Sequence, residues 1–247
     1  MNTTLHTTQD TALSGELSFI GENIHCVQSN IQAACQRSSR SAETITLLAV
    51  SKTKPNEMIL AAQSAGLTAF GENYVQELCE KIEALPSDII WHMIGHLQRN
   101  KVKYIIGKTA LIHSVDSFRL AEQIEKEAAK AGVVQDILLE INVAQEESKW
   151  GFPLEDAAEA VKQVSQLSHV RVKGLMTSAP YTENPEDNRL YFRALRSCFD
   201  SIREMSLPNV SMEVLSMGMT GDYEVAIEEG STLVRVGTGI FGERNYH

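Results

Sequence analysis

From Glu16 to about Arg37 the apolar residues Leu17, Ile20, Ile24, Val27 and Ile31 recur three or four positions apart, a spacing that predicts a helix with one buried face. Residues 1–15 before it show no period and read as a frayed, disordered tail. Beyond Arg37 the rhythm changes. Short aliphatic and β-branched runs stand at 45–50, 68–71, 89–94, 110–115, 137–143, 170–176, 212–215 and 232–236, and every gap between them carries a helical pattern. Pro55 near the start of one such helix and Gly66 past its end follow the usual asymmetry of start and stop signals. After Pro153, the residues Leu154, Ala157, Ala158, Val161, Val164 and Leu167 form an apolar stripe. The run before it is almost continuously aliphatic, as in a parallel strand covered on both faces. Eight β/α units predict an α/β fold, a single (β/α)8 barrel over 16–247 with no second domain, with a doubly wound open sheet as the alternative.

Composition narrows the partners. The 247 residues are 43% hydrophobic, enough for one sizeable core, and no apolar stretch approaches the roughly 18 residues of a membrane span. Lys+Arg 22 against Asp+Glu 32 gives −10, the wrong sign for unspecific attraction to nucleic acid or anionic lipid, so any phosphate site must be local. The opening segment lacks the basic and apolar regions of a secretory signal, which predicts a cytoplasmic protein. Cys26, Cys35, Cys79 and Cys198 form no C-x-x-C pair and read as reduced thiols.

In a barrel of this kind, chemistry sits at the carboxyl ends of the strands. Lys52 follows the first strand, where neighbours and partial desolvation can lower an amine's pKa and make it a nucleophile toward an aldehyde; Lys54, before Pro55, is the competing amine. GTGIFG at 237–242 has the form of a dinucleotide fingerprint, but only five residues follow it, too few for the helix, strand and acidic residue that such a fold requires. A glycine turn after the last strand does leave N–H groups for a phosphate. Ser216-Met217-Gly218-Met219-Thr220 after the seventh strand is expected to form a second such turn. Arg235, two positions before Gly237, shares a side with it and needs a partner inside the barrel. His92, His96 and His113 lack the spacing of a metal site. Glu146, Glu147 and Lys149 form a charged loop at the rim.

The segments AVSKTKP at 49–55, FGENYVQE at 70–77, WHMIGHLQ at 91–98, GLMT at 174–177, LSMGM at 215–219 and VRVGTGIFG at 234–242 together resemble the pyridoxal phosphate homeostasis protein family, also called the YggS or PROSC family. The resemblance implies a fold-type III barrel like the N-terminal domain of alanine racemase, with pyridoxal 5′-phosphate (PLP) joined as a Schiff base to Lys52. By the same matching, Ser216, Gly237 and Thr238 hold the phosphate, Asn73 lies near the ring, Arg235 faces the pyridine nitrogen and Met219 belongs to the cofactor-binding set. Thr220 and Trp150 depart from the family's pattern. An arginine cannot accept a hydrogen bond, so a pyridine nitrogen facing it stays unprotonated and the ring becomes a weaker electron sink, and no second domain supplies an opposing acid or base. The expectation is a monomeric PLP carrier with no catalytic residue, serving vitamin B6 and amino-acid balance and handing PLP to apo-enzymes. A low-activity racemase or transaminase and a phosphosugar isomerase are the rivals.

Overall fold

The computed structural model describes residues 17–146 and 149–243. The expected tail at 1–15 and Glu147 of the rim loop lie outside the described residues. Helix α1 (Ser18–Arg37) comes first, its buried face Ile20, Ile24, Val27, Ile31, Ala34 and Cys35 matching the sequence period. There follow β1 (Thr46–Val50), α2 (Asn56–Ser64), β2 (Ala69–Glu72), α3 (Val75–Ala84), β3 (Ile90–Met93), a 3-10 segment (Arg99–Tyr104), β4 (Leu111–Val115), α4 (Phe118–Ala131) and β5 (Gln135–Asn142). The second half runs through β6 (Phe152–Pro153), α5 (Ala157–Val164), β7 (Val170–Met176), α6 (Arg189–Glu204), β8 (Val210–Met219), α7 (Tyr223–Glu228), β9 (Leu233–Val236) and α8 (Thr238–Phe241).

The sheet order is β4-β3-β2-β1-β9-β8-β7-β5, and β4 pairs with β5, so eight parallel strands close into a barrel. All eight sequence runs are strands of that ring. The two-residue β6 is an addition, pairing Phe152 with Ile141 and Pro153 with Asn142 outside it. Closure excludes the open-sheet alternative.

The last two helices are only six and four residues long, too short to cover the seam between β9 and β1. α1 packs against both of them and α2 and covers that seam. Each of its fully buried aliphatic side chains contributes about 1.5–3 kcal/mol of apolar burial. Pro55 is the residue before α2, extended at φ −69°, and Gly66 takes φ +96° just beyond the helix, as the start and stop signals require.

One sequence expectation fails here. Ser216–Met219 do not form a turn; they are the last four residues of β8. Pairing with β9 carries the strand on, and a bulge between the Ser216–Leu233 and Met219–Arg235 pairs absorbs the extra residue. Gly218 allows it with φ +91°, and a Cβ there would meet Ala226 at 2.6 Å. Its glycine is a bulge glycine, and the turn starts at Thr220.

Candidate functional site

Lys52 leaves β1 in a tight turn closed by the Lys54 N–H, which donates to the Ser51 carbonyl at 3.0 Å. Thr53, in the middle of that turn, has φ +61°, a costly conformation for a β-branched residue that persists only where its surroundings impose it. They do. The Thr53 N–H donates to Glu77 Oε1 at 2.6 Å, and Lys81 Nζ donates to Glu77 Oε1 at 2.6 Å, Glu72 Oε1 at 2.8 Å and the Ser51 carbonyl at 2.8 Å. The Ser51 hydroxyl also donates to Glu72 Oε1 at 2.6 Å. Burial pushes the Glu72 carboxyl up while the Lys81 ammonium opposes that shift. The turn is thus fastened to α3 by a buried ion cluster, and the half-buried Lys52 faces a cavity of about 650 Å³ at the barrel mouth.

Lys54 goes elsewhere. Its Nζ lies 3.2–3.3 Å from the carbonyl oxygens of Phe241, Gly242 and Glu243, at the end of α8. Asn73, Met219, Arg235, Gly237 and Thr238 share the cavity with Lys52. Asn73 Oδ1 is buried without a hydrogen-bond partner. Its backbone passes so close to Gly95 that a Cβ there would sit 2.4 Å from the Asn73 carbonyl oxygen, which explains the glycine.

Across the cavity, Arg235 is held from behind. Its Nη1 donates to the Ser216 carbonyl at 3.0 Å and to the Ser216 hydroxyl at 2.7 Å, and its Nη2 donates to the Thr177 carbonyl at 2.8 Å. Burial lowers its pKa to about 10, with Glu140 and Asp222 acting against the shift, so it remains a cation and a donor at neutral pH. Ser216, expected on the phosphate side, is fully buried behind Arg235 and does not line the cavity. Its hydroxyl lies 3.0 Å from His113 Nδ1, and His113 Nε2 lies 2.9 Å from His92 Nδ1. Burial holds both imidazoles neutral, His92 at about 4 and His113 well below the ordinary range. Arg235 can only donate, so the Ser216 hydroxyl accepts from it, and the roles of the His113 and His92 ring nitrogens follow from their tautomers.

The third wall is a backbone cradle. The N–H groups of Gly237 and Gly239 donate to the Thr220 hydroxyl at 3.3 and 3.4 Å, in the first turn of the short helix α8. A side-chain hydroxyl therefore already occupies donors suited to an anion's oxygen. Asp222 fixes the neighbouring turn by accepting from the Met219 N–H at 2.7 Å and from Asn188 Nδ2 at 2.8 Å. Lys149 Nζ reaches the Ser178 carbonyl at 3.3 Å and Glu146 Oε1 at 2.7 Å.

Glu140 escaped the sequence reading. Burial and the Asp116 carboxylate push it up to about 7, opposed by Arg235. The available signal was a charged residue at alternation with the buried Leu138 inside β5. His96, past the end of β3, lies at the rim with Nδ1 3.1 Å from Asp116 Oδ2.

Over residues 23–245 the chain matches the family described as alanine racemase, N-terminal domain. It is 50% identical over 226 residues to the pyridoxal phosphate homeostasis protein of Aquifex aeolicus, covering 91% of this chain and 98% of that protein. The protein of the same description in Escherichia coli strain K12 is 38% identical over 93% of this chain and 99% of its own length. The chain belongs to the pyridoxal phosphate homeostasis protein family. Among solved structures, PipY of Synechococcus elongatus with PLP bound superposes with a TM-score of 0.77 at 33% identity, covering 90% of this chain and all of that one. Alanine racemase from Corynebacterium glutamicum shares the fold, with a TM-score of 0.71 at 14% identity over 92% of this chain and 62% of the racemase.

Proposed function

We propose that this protein binds PLP in the barrel mouth, serves PLP homeostasis, and holds the cofactor as a carrier rather than turning over a substrate. The observation that carries the reading is convergence: an amine on a rigid turn, an unpartnered amide oxygen, a buried guanidinium and a backbone anion cradle all border one cavity. Those groups fit a planar phosphorylated aldehyde. When bound, PLP supplies an electrophilic carbonyl carbon and a ring able to delocalise charge. Lys52 is the amine that captures the carbonyl; Gly237, Thr238 and Gly239, with Thr220, receive the phosphate; Asn73 and Met219 flank the ring; Arg235 faces the pyridine nitrogen as a donor and keeps it unprotonated.

The carrier reading rests on what surrounds the amine. A racemase needs acid or base groups on both faces of the reacting carbon. Of the rim tyrosines, Tyr181 lines the cavity but is 94% exposed, and Tyr74 is 58% exposed on a different depression. Neither is held in place for proton transfer. A cytoplasmic monomer that passes PLP to apo-enzymes is the corresponding cellular role; among the described residues no helix is long and apolar enough to cross a membrane, and the four cysteines are free.

Borohydride reduction of the PLP-loaded protein followed by peptide mass analysis is expected to label Lys52, and Lys52→Ala to abolish the label and the visible absorbance. Labelling that moves to Lys54 overturns the choice of amine. Incubation with a panel of amino acids, followed for chirality and keto-acid formation, is expected to show no rapid turnover; rapid turnover overturns the carrier reading.

A further inference from the structure

A second, larger cavity of about 980 Å³ opens beside the mouth, between the 3-10 segment, the start of α4 and Trp150. Its charge is unusual for this chain. Among the described residues, Arg37, Arg171, Arg189, Arg193, Arg196 and Arg203 each pair with a carboxylate, while Arg40 and Arg235 donate to carbonyl oxygens. Among the described residues, Arg99 and Arg119, both exposed, have neither an ion pair nor a hydrogen bond, and both line this cavity. Lys103 joins them with its ammonium 4.9 Å from the Tyr104 ring centroid and with Glu127 of the same lining as its electrostatic neighbour. In a protein with 32 acidic residues against 22 basic ones, this lining has the opposite balance: Arg99, Lys103, Arg119 and Lys149 stand against two carboxylates, Asp116 and Glu127, which favours an anion. The start of α4 adds to it. Ser117 makes no capping bond and gives its hydroxyl to Asp116 Oδ1 at 2.9 Å, and no acidic residue lies in the first turn, so the positive end of a 14-residue helix meets the cavity without a side-chain cap.

The opposite wall is aromatic. His96 and Trp150 stack with ring centroids 4.1 Å apart and planes 16° from parallel. Asp116 braces His96 from the side, and Trp150 is 60% exposed on the cavity. An exposed, pre-stacked indole is a platform for another flat ring. We propose that this groove is a second small-molecule site that takes a phosphorylated planar heterocycle of the nucleoside diphosphate class, its ring on Trp150 and its phosphates against Arg99, Arg119, Lys103 and the start of α4. The volume lies at the upper end of what such ligands fill.

ADP titrated into the full-length chain, with and without saturating PLP, tests this by calorimetry and by tryptophan fluorescence. The second tryptophan, Trp91, is buried, so quenching reports on Trp150. Saturable binding in both states is expected. Arg99→Glu combined with Arg119→Glu is expected to weaken it by at least about tenfold, and Trp150→Leu to weaken it and remove the quenching, with the PLP spectrum unchanged. Absence of saturable heat up to millimolar ADP overturns the site. Displacement of ADP by PLP places the nucleotide in the mouth instead and overturns it too. Inorganic phosphate binding as tightly as ADP overturns the aromatic half of the assignment.

Discussion

Two buried polar networks border the Lys52 cavity, and they are built on opposite principles. Beneath the amine, Glu72, Lys81 and Glu77 form an ion cluster in which one ammonium serves two carboxylates and a carbonyl. Across the barrel, a single cation, Arg235, is followed by a row of neutral groups, Ser216, His113 and His92. The first network holds a strained backbone in place, and its three charged side chains do not line the cavity. The second orients a guanidinium that lines the cavity. A charged cluster suits the anchoring task because it resists displacement. A neutral relay suits the orienting task because it leaves Arg235 the sole positive charge within its row.

The sharpest break of this contrast is Lys81→Met. Removing the ammonium strands the Glu72 carboxylate, which is fully buried, and an uncompensated buried charge costs about 3–5 kcal/mol. Urea unfolding is expected to show that loss, and the double variant Lys81→Met with Glu72→Gln to recover part of it. Equal losses in the single and double variants would show that the cluster's charges do not anchor the turn.

Next in size is the response to pH. His92 titrates at about 4 when folded against an ordinary 6.5, so as pH falls from 6.5 toward 4 the unfolded chain takes up the proton first and stability drops, by about 3 kcal/mol in all. Glu140 titrates near 7 when folded against an ordinary 4.5. Between those values the folded state keeps a proton that the unfolded chain has released, so stability falls as pH rises, by at most about 3 kcal/mol. The opposed slopes partly cancel in the native protein. Thermal midpoints across pH 4 to 8 are expected to separate them: Glu140→Gln flattens the loss on the alkaline side, and His92→Asn flattens the loss on the acid side.

Arg235→Gln follows. It withdraws the donor from the Thr177 carbonyl and the opposing charge from Glu140, at a cost of about 1–3 kcal/mol, and it is expected to change the pH response of the visible spectrum of bound PLP. An unchanged spectrum would remove Arg235 from the ring. The smallest effect is expected at Thr220. Thr220→Val deletes the hydroxyl against the Gly237 and Gly239 N–H groups and is expected to weaken PLP retention several-fold, about 1 kcal/mol, measured by release during dialysis, whereas Thr220→Ser retains it.

What could be read from the sequence was whatever repeats or ends an apolar run. The eight strands, the α1 face and Lys52 all stand on periodicity or on the residue next to it. The bulge at Gly218 was not legible, because a glycine in a strand and a glycine in a turn look alike until the neighbouring strand fixes the register. The fate of Ser216 went with it. The ion cluster under Lys52 joins residues 51, 72, 77 and 81, whose helical and strand positions are evident but whose meeting depends on how α3 lies over β2. Glu140 and His113 face inward by alternation, yet their partners come from β9 and β8, far along the chain.

The contact between Lys54 and the α8 carbonyls spans 187 or more positions of sequence. Lys52 sits two residues from one end of that contact, and the Gly237 cradle a few residues from the other. With the cofactor held as proposed, between Lys52 and that cradle, its retention reports on ring closure itself. A chain whose β9 to β1 seam is open keeps the amine and lacks the cradle beside it, so stable colour on refolding is expected to appear only once this most non-local pairing has formed.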